Sequence, residues 1–187
     1  MPLVLGISQR YRFVQGPVKP QEFDLGRGVS FYTGNFRSRD IDISVDLEIY
    51  NDGVVVNTRS NTSDADALID DLLSWARKTH GIGNEDYILK AKRIYRSELV
   101  VFAPKVSLNR VSDKLSQFIG SISAEADGPM QPTGFSFGSD SPKNRLMFTF
   151  ERELKAPFEE DKYYTTSLLP TDKHLEVLHH LEELFSE

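Results

Sequence analysis

The sequence predicts an α+β fold: a mainly antiparallel or mixed sheet with three amphipathic helices packed mostly on one face. Three observations carry this expectation. From Ile41 to Ile49 every odd position is aliphatic and every even position polar, the period-two signature of a strand with one face in a core. Three stretches, after Thr62, Ser107 and Thr171, carry apolar residues at helical spacing instead. Turn-forming residues separate these segments, and runs of strands alternate with single helices.

The clearest unit runs from Asp40 to Gly81. Its first strand ends at Asn51-Asp52-Gly53, and Asp-Gly between apolar runs is a strong hairpin signal because both residues tolerate positive φ. Val54–Arg59 returns as a β-branched strand. Thr62 or Ser63 is expected to cap the following helix, with Asp64 and Asp66 in its first turn, Arg77 and Lys78 in its last, and Gly81 just beyond. Ala65, Leu68, Ile69, Leu72, Trp75 and Ala76 share its apolar face.

Residues 1–28, interrupted by Gly6, Gly16, Pro17, Pro20, Gly26 and Gly28, read as an N-terminal arm with one short strand at Tyr11–Val14. Residues 29–187 read as a single α+β domain. Val29–Phe36 is expected as a strand, and Arg37–Asp40 as a turn. The continuously apolar Leu99-Val100-Val101-Phe102 reads as a strand buried on both faces. Leu108, Val111, Leu115, Phe118, Ile119 and Ile122 form the stripe of the second helix, and crossover connections around these two helices are plausible. Ser121–Pro142 is loop-like around a short strand at Phe135–Phe137. Arg145–Glu153 alternates, Tyr163–Leu168 follows as a strand, and Thr171 caps a helix bearing Leu175, Val177, Leu178, Leu181, Leu184 and Phe185. The element order of Gly28–Gly81 recurs at Gly134–Phe185, which is compatible with an internal duplication but reads more simply as the resemblance of two ordinary α+β segments.

Composition narrows the function. The chain lacks cysteine, which removes disulfides, thiol catalysis and thiolate metal sites and fits a cytoplasmic location. Pro2–Ile7 is too short for a signal sequence core. Of the net charge of −6, residues 1–150 contribute nothing, with 18 basic and 18 acidic residues. Residues 151–187 hold 4 basic and 10 acidic ones. Nucleic-acid or anionic-membrane binding in general is disfavoured, since both need a basic footprint.

Four groups of residues invite a chemical reading. Gly134-Phe-Ser136-Phe-Gly138 matches the G-x-S-x-G nucleophile elbow, but that motif needs a helix straight after the serine, and Ser139-Asp140-Ser141-Pro142 follows. His174, His179 and His180 share a helix with Glu176, Glu182 and Glu183, without the H-E-x-x-H spacing of a zinc site. His174 falls near the apolar stripe, the other two on the polar side. Asp42, Asp46 and Glu48 form an acidic stripe that reads as the wet face of a sheet. Lys90, Lys92, Arg93 and Arg96, with Tyr87 and Tyr95, are the one basic and aromatic cluster and the candidate anion or partner site. As a strand they would split between two faces, with Lys92 and Arg96 on one.

The resulting expectation is a soluble intracellular interaction or assembly protein without catalytic activity, cofactor or metal. It would meet a protein partner, or itself, through the N-terminal arm and the acidic C-terminal segment. The alternative is a small enzyme or small-ligand domain whose site gathers scattered residues, with Arg37, Arg39, Arg96, Ser136 and His174 the first to inspect.

Overall fold

Ile43, Val45 and Leu47 all point from one strand into a single core, as their alternation demands. The computed structural model in which they do so describes residues 2–82, 91–106, 108, 113–125, 130–139 and 147–186. The chain divides into two compact units, Met1–Arg93 and Ile94–Glu187.

The first unit is built on β1 (Val29–Ser38), β2 (Ile41–Ile49) and β3 (Val54–Thr58), joined as an antiparallel meander in that order. Arg39 and Asp40 form the β1–β2 turn with positive φ at both residues, the mirror-image turn geometry that matches strand twist. Between β2 and β3 the Asn51–Gly53 turn forms as expected, closed by Tyr50 N–H on the Gly53 carbonyl at 2.8 Å. Neither Asp52 nor Gly53 takes positive φ there. A bulge between Phe31 and Gly34 places Thr33 N–H on Asp46 Oδ1 at 2.7 Å. Part of the acidic stripe is thus used within the sheet.

Helix α2 (Thr62–His80) lies on the apolar face, burying Leu68, Leu72 and Ala76. Its cap is Asn61, whose side chain accepts from Ser63 N–H at 2.8 Å. The cap therefore sits just before the two residues expected, because Asn serves this position as well as Ser or Thr. Gly81 ends the helix in the left-handed conformation, where a side chain would be strained.

The expected count of three helices is wrong. A fourth, α1 (Pro2–Arg10), occupies the first part of the presumed arm. Leu3, Val4, Ile7 and Tyr11 follow helical spacing, and Ile7 and Tyr11 are fully buried in the same core as Leu47 and Leu68. Pro2 sits at the first helical position, where its missing N–H costs nothing. Gly6 is no breaker: a Cβ there would lie 2.8 Å from the Trp75 ring of α2, so the glycine permits the close approach. Arg10 grips Asp71 of α2 with two hydrogen bonds of 3.0 and 2.8 Å, and its guanidinium lies over the Trp75 ring. Ser38 Oγ donates to Asp64 Oδ1 at 2.6 Å, tying the end of β1 to the start of α2.

The second unit has its own antiparallel sheet, so the single sheet expected is in fact two. Its strands are β4 (Ser97–Phe102), β5 (Gly134–Gly138), β6 (Met147–Arg152) and β7 (Lys162–Ser167), in the spatial order β4-β7-β6-β5. The register Leu99↔Thr165 and Thr165↔Phe150 places Leu99, Thr165 and Phe150 on one face. That face carries the core of Phe150, Tyr163, Ala103, Val106 and Leu108. β4 is not buried on both faces. Among the described strands it pairs with β7 alone, and Val100 and Phe102, exposed at 52% and 68%, point away from the core. No parallel crossover occurs between described strands, since every pairing is antiparallel.

Helix α3 (Asp113–Glu125) and helix α4 (Thr171–Ser186) complete this unit. Leu178, Leu181 and Phe185 of α4 pack on the core. Ser107, Val111, Arg145 and Leu146, assigned above to a helix stripe and a strand, lie outside the described residues.

Candidate functional site

The apolar face of α4 is wider than the core it covers. Leu178, Leu181 and Phe185 face the core, while Val177 and Leu184, one helical step round, remain partly open. Opposite them, β5 and β6 place Phe135, Phe137 and Phe148 on the same sheet face by period two. The result is a groove of about 540 Å³ between helix and sheet, within the size range of ligand clefts. Phe135 and Phe148 stack at 6.4 Å and Phe137 and Phe148 at 6.5 Å, giving an aromatic floor and wall. Met147 and Leu169 extend the apolar lining, and His180, Ser167 and Ser139 supply its polar points. Phe137 and Leu184, at 63% and 57% exposure, are its outermost walls.

Two acidic residues of α4 adjoin lining positions in the sequence, Glu176 next to Val177 and Glu183 next to Leu184. Glu176 is held by Lys173 at 2.7 Å, and Glu183 lies 3.7 Å from His180 Nδ1.

Beneath the groove sits His174, fully buried. Its ring meets the Phe148 ring edge-on, and its Nε2 lies 2.9 Å from Thr165 Oγ1. That hydroxyl donates to the Thr149 carbonyl at 2.7 Å. Its one proton is committed, so His174 Nε2–H must donate to Thr165 and Nδ1 must be unprotonated. Nδ1 is buried without a hydrogen-bond partner among the described residues. Burial pushes the His174 pKa down, holding the ring neutral.

The basic cluster runs across the boundary between the two units, so each member is described within its own unit. Lys90 lies outside the described residues, and Lys92 is exposed. Arg93 belongs to the first unit and pairs with Asp66 at 2.7 Å and Asp70 at 2.5 Å on α2. Partial burial opposes its charge, but the two carboxylates more than offset this and raise its pKa. Arg96 belongs to the second unit, where it pairs with Glu98 at 2.6 Å. Glu98 in turn accepts from Tyr164 and raises that phenol's pKa.

The scattered residues are likewise divided between the units. Arg37 and Arg39 lie in the first unit, Arg37 beside Asp40. Ser136 is mid-strand in β5, opposite Thr149, and alternation puts it on the sheet face away from His174. The strained turn of a nucleophile elbow is absent at Ser136. Among the described residues, no three metal-ligating side chains converge, and no helix is long and apolar enough to cross a membrane.

The sequence contained one half of the groove, the apolar positions of α4. It concealed the other half, because only the β5–β6 register shows how much of that stripe the sheet leaves uncovered. Comparison with protein families, with curated proteins and with solved structures finds no match to this chain.

Proposed function

We propose that the protein is a non-catalytic, cytoplasmic interaction or assembly module whose principal contact surface is the groove between α4 and β5–β6. The observation that carries this reading is the exposure of Phe137 and Leu184 on either side of an apolar floor. Large apolar side chains left open together mark a contact surface more often than solitary ones do. A part for the acidic C-terminal segment is supported by Glu176 and Glu183, which adjoin the lining residues Val177 and Leu184 in the sequence. The N-terminal arm has a smaller part, because α1 is committed to its own core; Val14 and Val18 remain exposed beyond it.

A photo-activatable benzoylphenylalanine at Phe137 in the full chain, irradiated in the source cells, tests the reading. A protein adduct is expected at Phe137, lost when Leu184→Lys is added and not formed from a probe at Val55 on β3. Absence of any protein adduct at Phe137, the chain itself included, would overturn it.

The groove volume favours one competing reading, a site for a small apolar molecule. Saturable binding of such a molecule, abolished by Leu184→Lys in a chain that cross-links to no protein, would establish that reading instead.

A further inference from the structure

We infer that the Asp52–Gly53 bond is a site of spontaneous modification, at which the folded chain converts Asp52 to an isoaspartyl link. In the sequence Asn51-Asp52-Gly53 marks a turn. The same residues also unite the two groups that this conversion needs. The electrophile is the side-chain carboxyl of Asp52, and the nucleophile is the backbone nitrogen of Gly53. Glycine suits that position because no Cβ shields the nitrogen.

The structure leaves both groups unengaged. Asp52 and Gly53 are exposed, and the Asp52 carboxyl makes no hydrogen bond or ion pair among the described residues. Other carboxylates of the first unit are committed: Asp46 accepts from Thr33 N–H, Glu48 from the Tyr50 hydroxyl and Asp64 from Ser38. The bond that closes the turn runs from Tyr50 N–H to the Gly53 carbonyl. It uses the oxygen of Gly53, and the Gly53 N–H donates to no described group. A Cβ on Gly53 would meet nothing within 4 Å, so the space in which a ring would close is open.

The step balances with water alone. The Gly53 nitrogen bonds to Asp52 Cγ, and the amide proton leaves with the carboxyl hydroxyl as water. The succinimide that results takes a water back at either carbonyl. Opening at the side-chain carbonyl restores aspartate. Opening at the main-chain carbonyl leaves Gly53 joined through Cγ and frees the α-carboxylate of Asp52.

The product carries the Asp52 methylene in its main chain. Loop length and turn type fix hairpin register, so the lengthened turn no longer suits the Ile49↔Val54 pairing. The strain falls on β3, which ends the sheet order and packs Val54 and Val56 on the core.

Incubation of the folded full chain near neutral pH, followed by tryptic peptide mapping, tests the inference. The peptide Asp40–Arg59 should split into two chromatographic forms of equal mass, with electron-transfer fragmentation placing the new linkage at Asp52. Its freed carboxylate should accept a methyl group from S-adenosylmethionine when an isoaspartyl methyltransferase is added. Asp127-Gly128, the other Asp-Gly pair, falls in a different peptide. Conversion at Asp52 in the folded chain should run within a few-fold of its rate in urea. Gly53→Ala, which the open turn accommodates, should slow it several-fold. The converted chain, isolated by chromatography, should have a lower urea midpoint by Trp75 emission. Absence of conversion in the folded chain, or a rate undiminished in Gly53→Ala, would overturn the inference. An unchanged midpoint in the converted chain would overturn its consequence for β3.

Discussion

The hydroxyl of Tyr11 donates a 2.7 Å hydrogen bond to Asp71 from a ring otherwise sealed in the core of the first unit. Asp71 also takes both bonds from Arg10, so one carboxylate fastens α1 to α2. Burial opposes its charge, but these donors more than compensate and hold its pKa below the usual carboxylate value. Tyr11→Phe should cost about 1.5–3 kcal/mol, the scale of a hydrogen bond to a charged acceptor. Urea denaturation followed by Trp75, the only tryptophan, checks this in the unit concerned.

The same carboxylate predicts part of the acid limb. A depressed folded pKa means Asp71 stabilises fully above its unfolded value of about 3.9. That contribution disappears as pH falls through the lower folded value. Asp64, lowered by its bond from Ser38, acts in the same direction. Asp71→Asn should therefore lower stability at pH 7 and flatten its dependence below about pH 4. An acid limb unchanged in Asp71→Asn would show that other carboxylates carry it.

Two glycines should respond in opposite ways. Gly6→Val drives a side chain into the Trp75 ring and should destabilise the first unit by about 1–3 kcal/mol, with a red-shifted tryptophan emission. At Gly120 on α3 a Cβ meets nothing within 4 Å. Gly120→Ala should strengthen that helix by about 0.5–1 kcal/mol, read as a gain in helical circular dichroism on mild heating.

His174 predicts a second pH response, confined to the other unit. Its pKa is lowered by burial, so its contribution is full above the unfolded value of about 6.5 and fades on acidification. His174→Gln keeps a donor for Thr165. It should flatten the loss of stability between pH 7.5 and 5, whatever it costs at neutral pH. Nuclear magnetic resonance of β6 and β7 amides during urea titration separates this from events in the first unit.

Local pattern made much of the fold legible. Ile43, Val45 and Leu47 identified the inner face of β2, and Leu68, Leu72 and Ala76 that of α2, because period and burial agree there. His174 was already placed beside the apolar stripe. Helix α1 was missed because Gly6 read as an interruption, whereas it is required by a ring 69 residues further on, at Trp75. The burial of Leu99–Phe102 was misread for a related reason. Whether a strand is an edge depends on what pairs beside it, and no residue within β4 records that. Of the basic cluster, Arg93 binds α2 and Arg96 binds Glu98, distinctions invisible to spacing along a chain. The groove lay half in view, since Val177 and Leu184 were counted with the core-facing leucines that they actually adjoin.

The pairing of β4 with β7 also orders events during synthesis. The first unit is a run of local hairpins closed by its own helix, and all its strands and helices have been made once Arg93 has been translated. β4 emerges next, but its hydrogen-bonding partner, from Lys162 to Ser167, is translated only near the end. Through that interval the nascent chain presents Leu99-Val100-Val101-Phe102 with an unsatisfied backbone, the type of segment that invites intermolecular pairing. Lysine at Val100 and Phe102, both outward in the finished sheet, should raise refolding yield with little change in the urea midpoint. The vulnerable period of this protein is thus the delay between two strands, and a ribosome stalled before Lys162 leaves it open.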